Sequence, residues 1–260
     1  MSKTSKYSDR YCAFVDILGF RQLIGQLDND ETSFDALRSL LTRIHGAHSG
    51  SALDVDGTDF RAQSISDAVA ISTSVSARGL AEIFKSLIAL TLDLLVEGYF
   101  IRGAIVKAPL YHDDKMVVGQ ALVRAFHYES EIAKFPRIVV AREVKTDLIG
   151  IGGKLAAKEQ YPRITNLQRS IDGPMYLDVL QPVLELLKKS EHPYKAKDLT
   201  PAEIVDMRRF SLIKDKIQER YEEAMDTPRH FEKVRWFAQY WNETIPDRFN
   251  LRIRDADQKF

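Results

Sequence analysis

Apolar and polar positions divide the first half of the chain into alternating strands and helices. Residues 10–17 form an apolar run rich in aromatic and β-branched side chains, which predicts a buried strand. Two short runs of apolar and small residues flank Asp67, so residues 60–73 predict a hairpin with that aspartate near its tip. The same patterns predict helices over 33–46, 77–98 and 119–133, and further strands over 99–110 and 136–141.

The order of these elements indicates the fold class. It reads strand, helix, strand, strand, helix, strand, helix, strand, and Gly98 stands where the second helix should end. Such an order predicts an α+β fold in which helices pack on one face of an antiparallel or mixed sheet. We expect a ferredoxin-like βαββαβ core in a domain that spans residues 8–155.

Beyond this core domain the pattern becomes helical. Thr200, Pro201 and Glu203 provide an N-cap, a first-position proline and a capping-box glutamate. A Thr-Pro pair at 227–228 repeats this helix start. We therefore expect residues 156–260 to form a mostly helical C-terminal extension that packs on the core or on a second subunit.

Composition limits the classes of function. The chain has 260 residues, of which 45% are hydrophobic, and its 37 Lys and Arg residues balance 37 Asp and Glu residues. No global charge draws it to nucleic acid or to an anionic membrane. Cys12 is the only cysteine, which excludes an internal disulfide and fits a reducing compartment. The polar start of the chain carries no secretion signal, and the most apolar helix candidate contains Glu82, Lys85 and Asp93. We expect a soluble, cytoplasmic protein that binds neither nucleic acid nor membranes.

Two aspartates are placed where a metal site can form. Asp16 lies in the first apolar strand, just before Gly19, and Asp67 lies at the tip of the predicted hairpin. Hard divalent cations prefer carboxylate oxygens, and two such carboxylates can hold a metal pair against a triphosphate. Backbone N–H groups near Gly19 can cradle phosphate oxygens, since glycine permits a close approach. Spacing alone leaves a second interpretation open, in which Asp16 caps the turn and Asp67 only ends the hairpin.

Longer motifs surround both aspartates. The segment FVDILGF resembles the F-x-D-I-x-G-F motif of class III nucleotidyl cyclases, and SISDAVAIS resembles their I-G-D-x-x-x-A motif. Residues 102–141 are similar to three further elements of that family. These are the R-x-G-I-x-x-G-x-V block, the G-x-x-V-N-x-A-x-R-x-E-S helix and the closing strand. The resemblance covers roughly residues 11–141, in the family's order.

The resemblance implies a two-metal active site in a homodimer. Asp16 and Asp67 would bind two divalent cations, Mn²⁺ or Mg²⁺, with help from the backbone carbonyl of Ile17. The positions where the family's main chain wraps the phosphates are Gly19, Phe20 and Arg21. One metal acidifies the ribose 3′-hydroxyl for attack on the α-phosphorus, and the second neutralises the departing pyrophosphate. Centres of this family form between two catalytic domains, which places the active sites at the dimer interface.

The base-reading positions depart from the purine cyclases. Gln63 stands where those enzymes carry a base-reading lysine, and Met116 stands where they carry its Asp or Thr partner. The sequence therefore contains no evident adenine or guanine reader. The Gln63 amide offers a donor and an acceptor to a pyrimidine edge, and Arg102 offers a donor to a carbonyl oxygen.

The positions for ribose and transition-state contacts also differ. Val123 and His127 stand where the family carries Asn and Arg, so another cation must substitute or the chemistry is lost. Arg102 and Arg124 are the candidates, and His127 is a candidate phosphate contact. The alternatives are a surface ion pair for Arg102 and a packed, hydrogen-bonded role for His127.

The sequence keeps both metal aspartates but lacks the purine-reading residues. In this combination it resembles one subgroup, the bacterial pyrimidine cyclases of the Pycsar antiphage system. Its members make cyclic UMP or cyclic CMP during infection and signal to a separate effector without stable contact. The resemblance implies conversion of UTP to 3′,5′-cyclic UMP and pyrophosphate. Uracil is favoured over cytosine because an arginine donor suits its two carbonyl oxygens. Cytidylate cyclase activity and a catalytically silent, nucleotide-binding regulator stay open as alternatives.

Two further clusters have ordinary explanations. The HDD sequence at 112–114 is interpreted as a solvated hairpin turn rather than a metal site. The aromatic cluster within 236–241 has helical spacing and is interpreted as core or subunit interface rather than a base-stacking surface.

Overall fold

The structure, a computed structural model, describes residues 7–19, 58–65, 68–156, 167–192 and 196–257, with the side chains of 151–156 left aside. The strands are β1 (Ser8–Ile17), β2 (Arg61–Ile65), β3 (Ala68–Ser74), β4 (Ile101–His112), β5 (Val117–Gly119), β6 (Ile138–Val140), β7 (Leu167–Arg169) and β8 (Met175–Leu177). The α-helices are α1 (Ala77–Val96), α2 (Gln120–His127), α3 (Arg142–Ala156), α4 (Gln181–Glu191), α5 (Pro201–Glu223) and α6 (Pro228–Thr244). The helix predicted over 33–46 lies outside the described residues.

A mixed sheet organises the first half of the chain. The described strands follow the order β2-β3-β1-β4-β6-β8-β7, and β5 pairs with β4. The pairs β2–β3, β3–β1 and β1–β4 are all antiparallel. The order β2-β3-β1-β4 with these directions is that of a ferredoxin-like sheet, which confirms the predicted α+β fold class.

Three strands widen this sheet beyond the ferredoxin-like four. β6 lies parallel to β4, while β8 runs antiparallel to β6 and to β7. Helix α2 covers one face, where Ala121 and Ala125 belong to the same buried cluster as Cys12, Phe14 and Val106. Burial raises the pKa of the Cys12 thiol to about 12, so this thiol is an inert core group.

The structure confirms the predicted helix α1. Its apolar stripe is buried, with Ile83, Phe84 and Leu87 fully inaccessible to solvent. Gly98 ends the helix in the left-handed region, with a φ of 78°, and its N–H donates to the carbonyl of Leu95. Glycine adopts this conformation without the steric cost of a Cβ, as expected for a helix C-cap.

Several elements were missed by the sequence pattern. Helix α3 contains Gly150, Gly152 and Gly153, and glycine is a poor helix former, which hid its periodicity. Strands β7 and β8 have three residues each, too few to show an alternation. Helix α4, which has Pro182 as its second residue, was also not predicted.

The chain forms two compact units. One comprises residues 1–90 and 101–177 and holds the sheet; the other comprises residues 91–100 and 178–260. The predicted division into a core domain at 8–155 and a C-terminal extension at 156–260 stays a prediction. Among the described residues, no helix combines the length and the apolar character needed to cross a membrane.

The second unit contains the predicted helices α5 and α6. Thr200 caps α5 through the predicted capping box with Glu203. In α6, Phe237, Tyr240 and Trp241 are buried, which confirms that the aromatic cluster contributes to a core. Asn242 holds the last described segment, because its side-chain amide donates to the carbonyl of Ile253 and accepts from the N–H of the same residue.

A buried ion pair attaches the β7–β8 hairpin to the start of β6. Both guanidinium nitrogens Nη1 and Nη2 of Arg137 donate to the carboxylate of Asp172, at 2.8 and 2.6 Å. The Arg137 side chain is fully buried, whereas that of Asp172 is 34% exposed. Hydrogen bonds from Arg137 lower the pKa of Asp172 to about 2, so the pair persists in mild acid.

A buried polar network lies at the other end of the sheet. Ser72 accepts a hydrogen bond from Arg10 Nε at 3.0 Å, and its hydroxyl lies 2.8 Å from His112 Nδ1. Arg10 also donates to the carboxylate of Asp59. Burial lowers the pKa of His112 to about 4, and the charges of Arg10 and Arg61 act in the same direction. His112 is therefore a neutral structural histidine at physiological pH.

We expect His112 to make the fold acid-sensitive. Its folded pKa lies below its unfolded value, so the stabilisation is present above about pH 6.5 and is lost as pH falls towards about 4. Between about pH 7 and pH 5, the wild type should lose about 2 kcal/mol more unfolding free energy than His112→Asn. Urea denaturation of both proteins at the two pH values measures this difference. Equal losses in the two proteins would contradict the neutral buried histidine.

Candidate active site

Asp16 lies in the centre of the sheet, between two neighbouring strands. Its Cα partners are Ala68 on β3 and Arg102 on β4. Directly opposed residues of antiparallel strands project from the same face, so Asp16 and Arg102 are neighbours. Asp67 lies outside the described residues, but it directly precedes Ala68 in the sequence. The strand register therefore places Ala68, the sequence neighbour of Asp67, directly opposite Asp16.

The close approach of β1 and β4 depends on a glycine, which has no side chain. Gly103 follows Arg102, and a Cβ at this position would lie 2.5 Å from Val15 Cγ1 and 2.6 Å from the Phe14 carbonyl oxygen. Such distances are shorter than van der Waals contact, so any other residue would push the strands apart. Glycine at 103 keeps the charged pair of Asp16 and Arg102 together.

Arg102 stands between two carboxylates. Its Nε lies 3.5 Å from Asp16 Oδ2 and 2.5 Å from Glu129 Oε1. The Glu129 side chain is only 3% exposed, whereas those of Asp16 and Arg102 are 20% and 22% exposed. Arg102 is thus ion-paired within its own chain, and its predicted contact with substrate stays a prediction.

Glu129 was not singled out from the sequence. It follows α2 in a π-helical turn, Tyr128–Ile132, where Ala133 N–H donates to the Tyr128 carbonyl. Such wide turns are frequent at functional sites. A signal did exist, because Glu129 occupies the glutamate position of the cyclase-like helix motif in HYES.

The turn after β1 has the predicted glycine conformation. Ile17 ends the strand, paired with Ile101, and Gly19 has a φ of 84°. This left-handed conformation favours glycine in the turn directly after the Asp16 strand. Phe20 and Arg21, predicted to stand near the phosphates, lie outside the described residues.

The donors in this region suit a hard divalent cation. Asp16 supplies a carboxylate and Ile17 a carbonyl, and both are the oxygen ligands that Mg²⁺ and Mn²⁺ prefer. Within the described ranges, no group of three or more His, Cys, Asp or Glu side chains is arranged to hold a metal. The residues present fit one side of the predicted site, and the second carboxylate, Asp67, falls in the gap between β2 and β3.

The structure brings the two predicted base-reading positions together. Gln63 Nε2 donates to the carbonyl of Lys115 at 3.3 Å, next to the exposed Met116. The buried Gln63 Oε1 has no hydrogen-bond partner among the described residues. The hydrogen bond to the Lys115 carbonyl therefore fixes the orientation of the Gln63 amide, with Oε1 as its remaining acceptor.

The turn that carries Met116 is held by Asp113. Its Oδ1 accepts hydrogen bonds from the backbone N–H groups of Lys115 and Met116, both at 2.8 Å. These hydrogen bonds lower the pKa of Asp113. A hairpin turn follows β4 as predicted, and Asp113 has a structural role in it, but His112 is the buried last residue of β4 and not part of a solvated turn.

Arg124 is engaged at the edge of the sheet. Its Nη2 donates to Glu143 Oε1 at 2.6 Å and its Nη1 to the carbonyl of Lys107 at 3.2 Å. Ala141 N–H pairs with the carbonyl of Ile105, so Lys107 lies beyond the last pairing with the segment of β6. Arg124 thus closes an open edge in its own unit, and its predicted catalytic role stays untested.

Helix α2 presents an outer face that carries exposed apolar side chains and a histidine. Val123 is 69% exposed and Phe126 54% exposed, and His127 is exposed beside them. The Phe126 ring makes an edge contact with Phe14, with centroids 5.6 Å apart. Large exposed apolar side chains one helical turn apart are characteristic of an interaction surface.

Comparisons with known proteins complete the description. No protein-family model matches the chain, and no curated protein matches it. Among solved structures, it is similar to the monomeric guanylyl cyclase domain of the RhoGC fusion protein from the aquatic fungus Blastocladiella emersonii. The identity is 13%, over 68% of this chain and 98% of that one, with a TM-score of 0.45.

Two further structures show a weaker likeness. A class III adenylyl cyclase-like ATP-binding protein from Pseudomonas aeruginosa has 14% identity over 55% of this chain and 35% of that one, with a TM-score of 0.39. The catalytic core of a rhodopsin-guanylyl cyclase with converted specificity, in complex with ATPalphaS, has 14% identity over 67% and 96%, with a TM-score of 0.38.

Proposed function

We propose that this protein is a nucleotide cyclase, a phosphorus-oxygen lyase that converts UTP to 3′,5′-cyclic UMP and pyrophosphate. The observation that carries the proposal is the position of Asp16. This carboxylate lies in the central strand with Ala68, the neighbour of Asp67, on one side and Arg102 on the other. A strand-borne carboxylate paired with a cation at a glycine turn is suited to phosphate chemistry.

In this proposal Asp16, Asp67 and the carbonyl of Ile17 hold two divalent cations, Mn²⁺ or Mg²⁺. When bound, such cations lower the pKa of the ribose 3′-hydroxyl and neutralise charge on pyrophosphate. The chain itself orients the reactants: the Gly19 turn exposes main-chain N–H groups to the phosphates, and Arg102 offers a cation beside Asp16. The 3′-oxygen bonds to the α-phosphorus, the bond to the β-phosphate oxygen breaks, and the hydroxyl proton passes to solvent.

The pyrimidine assignment rests on Gln63. Its Nε2 is engaged by Lys115, and in this proposal its remaining acceptor, Oε1, pairs with a donor of the base, such as the N3–H of uracil. The neighbouring Met116 offers no charged or amide group to a purine edge. Cytosine also carries a donor, its amino group, so CTP is the alternative substrate and cyclic CMP the alternative product.

The active form in this proposal is a homodimer. The exposed face of α2, with Val123, Phe126 and His127, supplies the surface through which two copies meet. His127 is then the candidate contact for the partner's phosphates, since Arg124 is engaged by Glu143. The cyclic nucleotide would act as a second messenger in antiphage defence, through a separate effector that makes no stable contact.

Two observations favour a second candidate, a catalytically silent nucleotide-binding regulator. Arg102 already contacts Asp16, and Val123 supplies no ribose contact. The two functions separate when the purified protein is incubated with each of the four ribonucleoside triphosphates and Mn²⁺ or Mg²⁺, with products identified by mass. We expect cyclic UMP as the main product. No cyclic product from a folded protein supports the regulator, and turnover of ATP alone contradicts the reading of Gln63 and Met116.

A further inference from the structure

Glu129 has no role in the mechanism above, yet it is a buried carboxylate beside Asp16. Its Oε1 lies 2.5 Å from Arg102 Nε, and its side chain is 3% exposed. Burial of a charged carboxylate is costly unless a cation accompanies it. The protein bears this cost at a position where the neutral glutamine would have the same shape, so the charge itself needs an explanation.

Arg102 is shared unequally between the two carboxylates. Arg102 Nε lies 2.5 Å from Glu129 Oε1 but 3.5 Å from Asp16 Oδ2, so the contact with Glu129 is 1 Å shorter. Coulomb attraction rises as distance and solvent exposure fall, so the guanidinium is held mainly by Glu129. The attraction of Arg102 to Asp16 is therefore weaker than it would be if Asp16 were the principal partner of the guanidinium.

We propose that Glu129 is a positioning residue that draws Arg102 away from Asp16 and so preserves the affinity of Asp16 for a divalent cation. The inference rests on the proposed function and deepens it, because it names a residue that tunes the metal site without touching metal or substrate. Glu129 acts through Arg102: without the buried charge, the guanidinium would turn to Asp16 and compete with the cation.

A matched control lies in the same turn. Glu131 is two residues further along the π-helical turn and is exposed, so Glu131→Gln removes the same charge without removing a partner of Arg102. The double variant Glu129→Gln with Arg102→Gln removes both members of the buried pair and leaves two neutral amides. This variant distinguishes an effect on Mn²⁺ binding that depends on Arg102 from one caused by destabilisation of the π-helical turn.

The experiment measures Mn²⁺ binding without nucleotide, by the electron paramagnetic resonance signal of the free ion, after thermal unfolding has established that each variant is folded. Glu129→Gln is expected to weaken Mn²⁺ binding by about tenfold, the effect typical of lost outer-shell partners of a metal site. Glu131→Gln should bind as the wild type does. The double variant should recover the wild-type affinity, because the competing guanidinium is gone.

Each outcome decides the inference. Equal Mn²⁺ affinity in Glu129→Gln and the wild type overturns it, and so does a double variant as weak as the single one, which would make Glu129 merely structural. A wild type that binds no Mn²⁺ overturns both the inference and the proposed function. If the expected pattern is found but no triphosphate yields a cyclic product, the inference stands and the proposed cyclase activity fails.

Discussion

Replacing Asp16 with asparagine is expected to lower turnover of the preferred triphosphate by about three orders of magnitude. The substitution keeps the shape of the side chain but removes the charge that holds a divalent cation. Loss of a metal that stabilises transition-state charge costs several kcal/mol, and each 1.4 kcal/mol corresponds to about tenfold in rate. The rate of cyclic nucleotide formation at saturating Mn²⁺ measures the effect, and Asp67→Asn should lose as much.

Asp9 provides a matched control on the same strand. It is an exposed aspartate of β1, so Asp9→Asn makes the same chemical change away from the proposed site. We expect Asp9→Asn to retain wild-type turnover and all three variants to keep the thermal stability and elution volume of the wild type. Substantial turnover by either Asp16→Asn or Asp67→Asn would remove the two-metal assignment.

Asp172→Asn is expected to destabilise the fold by about 2 to 3 kcal/mol. The substitution leaves the guanidinium of Arg137 buried without its charged partner, and breaking a buried ion pair typically costs about 3 to 5 kcal/mol. The lower value reflects the partial exposure of Asp172, at 34%. Urea denaturation at neutral pH measures the change. The pair's contribution should vanish as pH falls from about 4 to about 2, because the folded pKa of Asp172 lies below its unfolded value.

Asp114→Asn is the control for this prediction. Asp114 is also a turn aspartate paired with an arginine, Arg61 at 3.3 Å, but its side chain is 99% exposed. Water and salt screen such a pair, so its loss should leave the stability almost unchanged. A similar destabilisation by both substitutions would show that the effect does not come from the buried Arg137.

The central elements of the fold could be predicted because their signals are local. The Asp16 strand and helix α1 have long apolar patterns, and the β2–β3 hairpin has two short strands around one turn. The approach of Asp16 to Arg102 was not predictable in this way, since it depends on strand register over more than 80 residues of sequence. Only the pairing of β1 with β4 places the two side chains opposite each other.

Other features escaped prediction because they depend on tertiary structure. The partner that fixes the Gln63 amide is a main-chain carbonyl, that of Lys115, which any residue type would supply. The engagement of Arg124 follows from the end of β6, which leaves part of β4 without a neighbouring strand. Residue propensity and spacing predict single helices and strands. They do not predict where a neighbouring strand ends and leaves a sheet edge unpaired.

The Asp113 turn has a consequence for how such a protein can diversify. In the proposed enzyme, the phosphate chemistry depends on three paired strands at the centre of the sheet, whereas the base is read at a solvent-facing turn between β4 and β5. Substitutions at Lys115 or Met116 alter the surroundings of Gln63 without changing the register that places Asp16. In the proposed enzyme, a change of nucleobase preference therefore requires no change in the strands that position the phosphate chemistry.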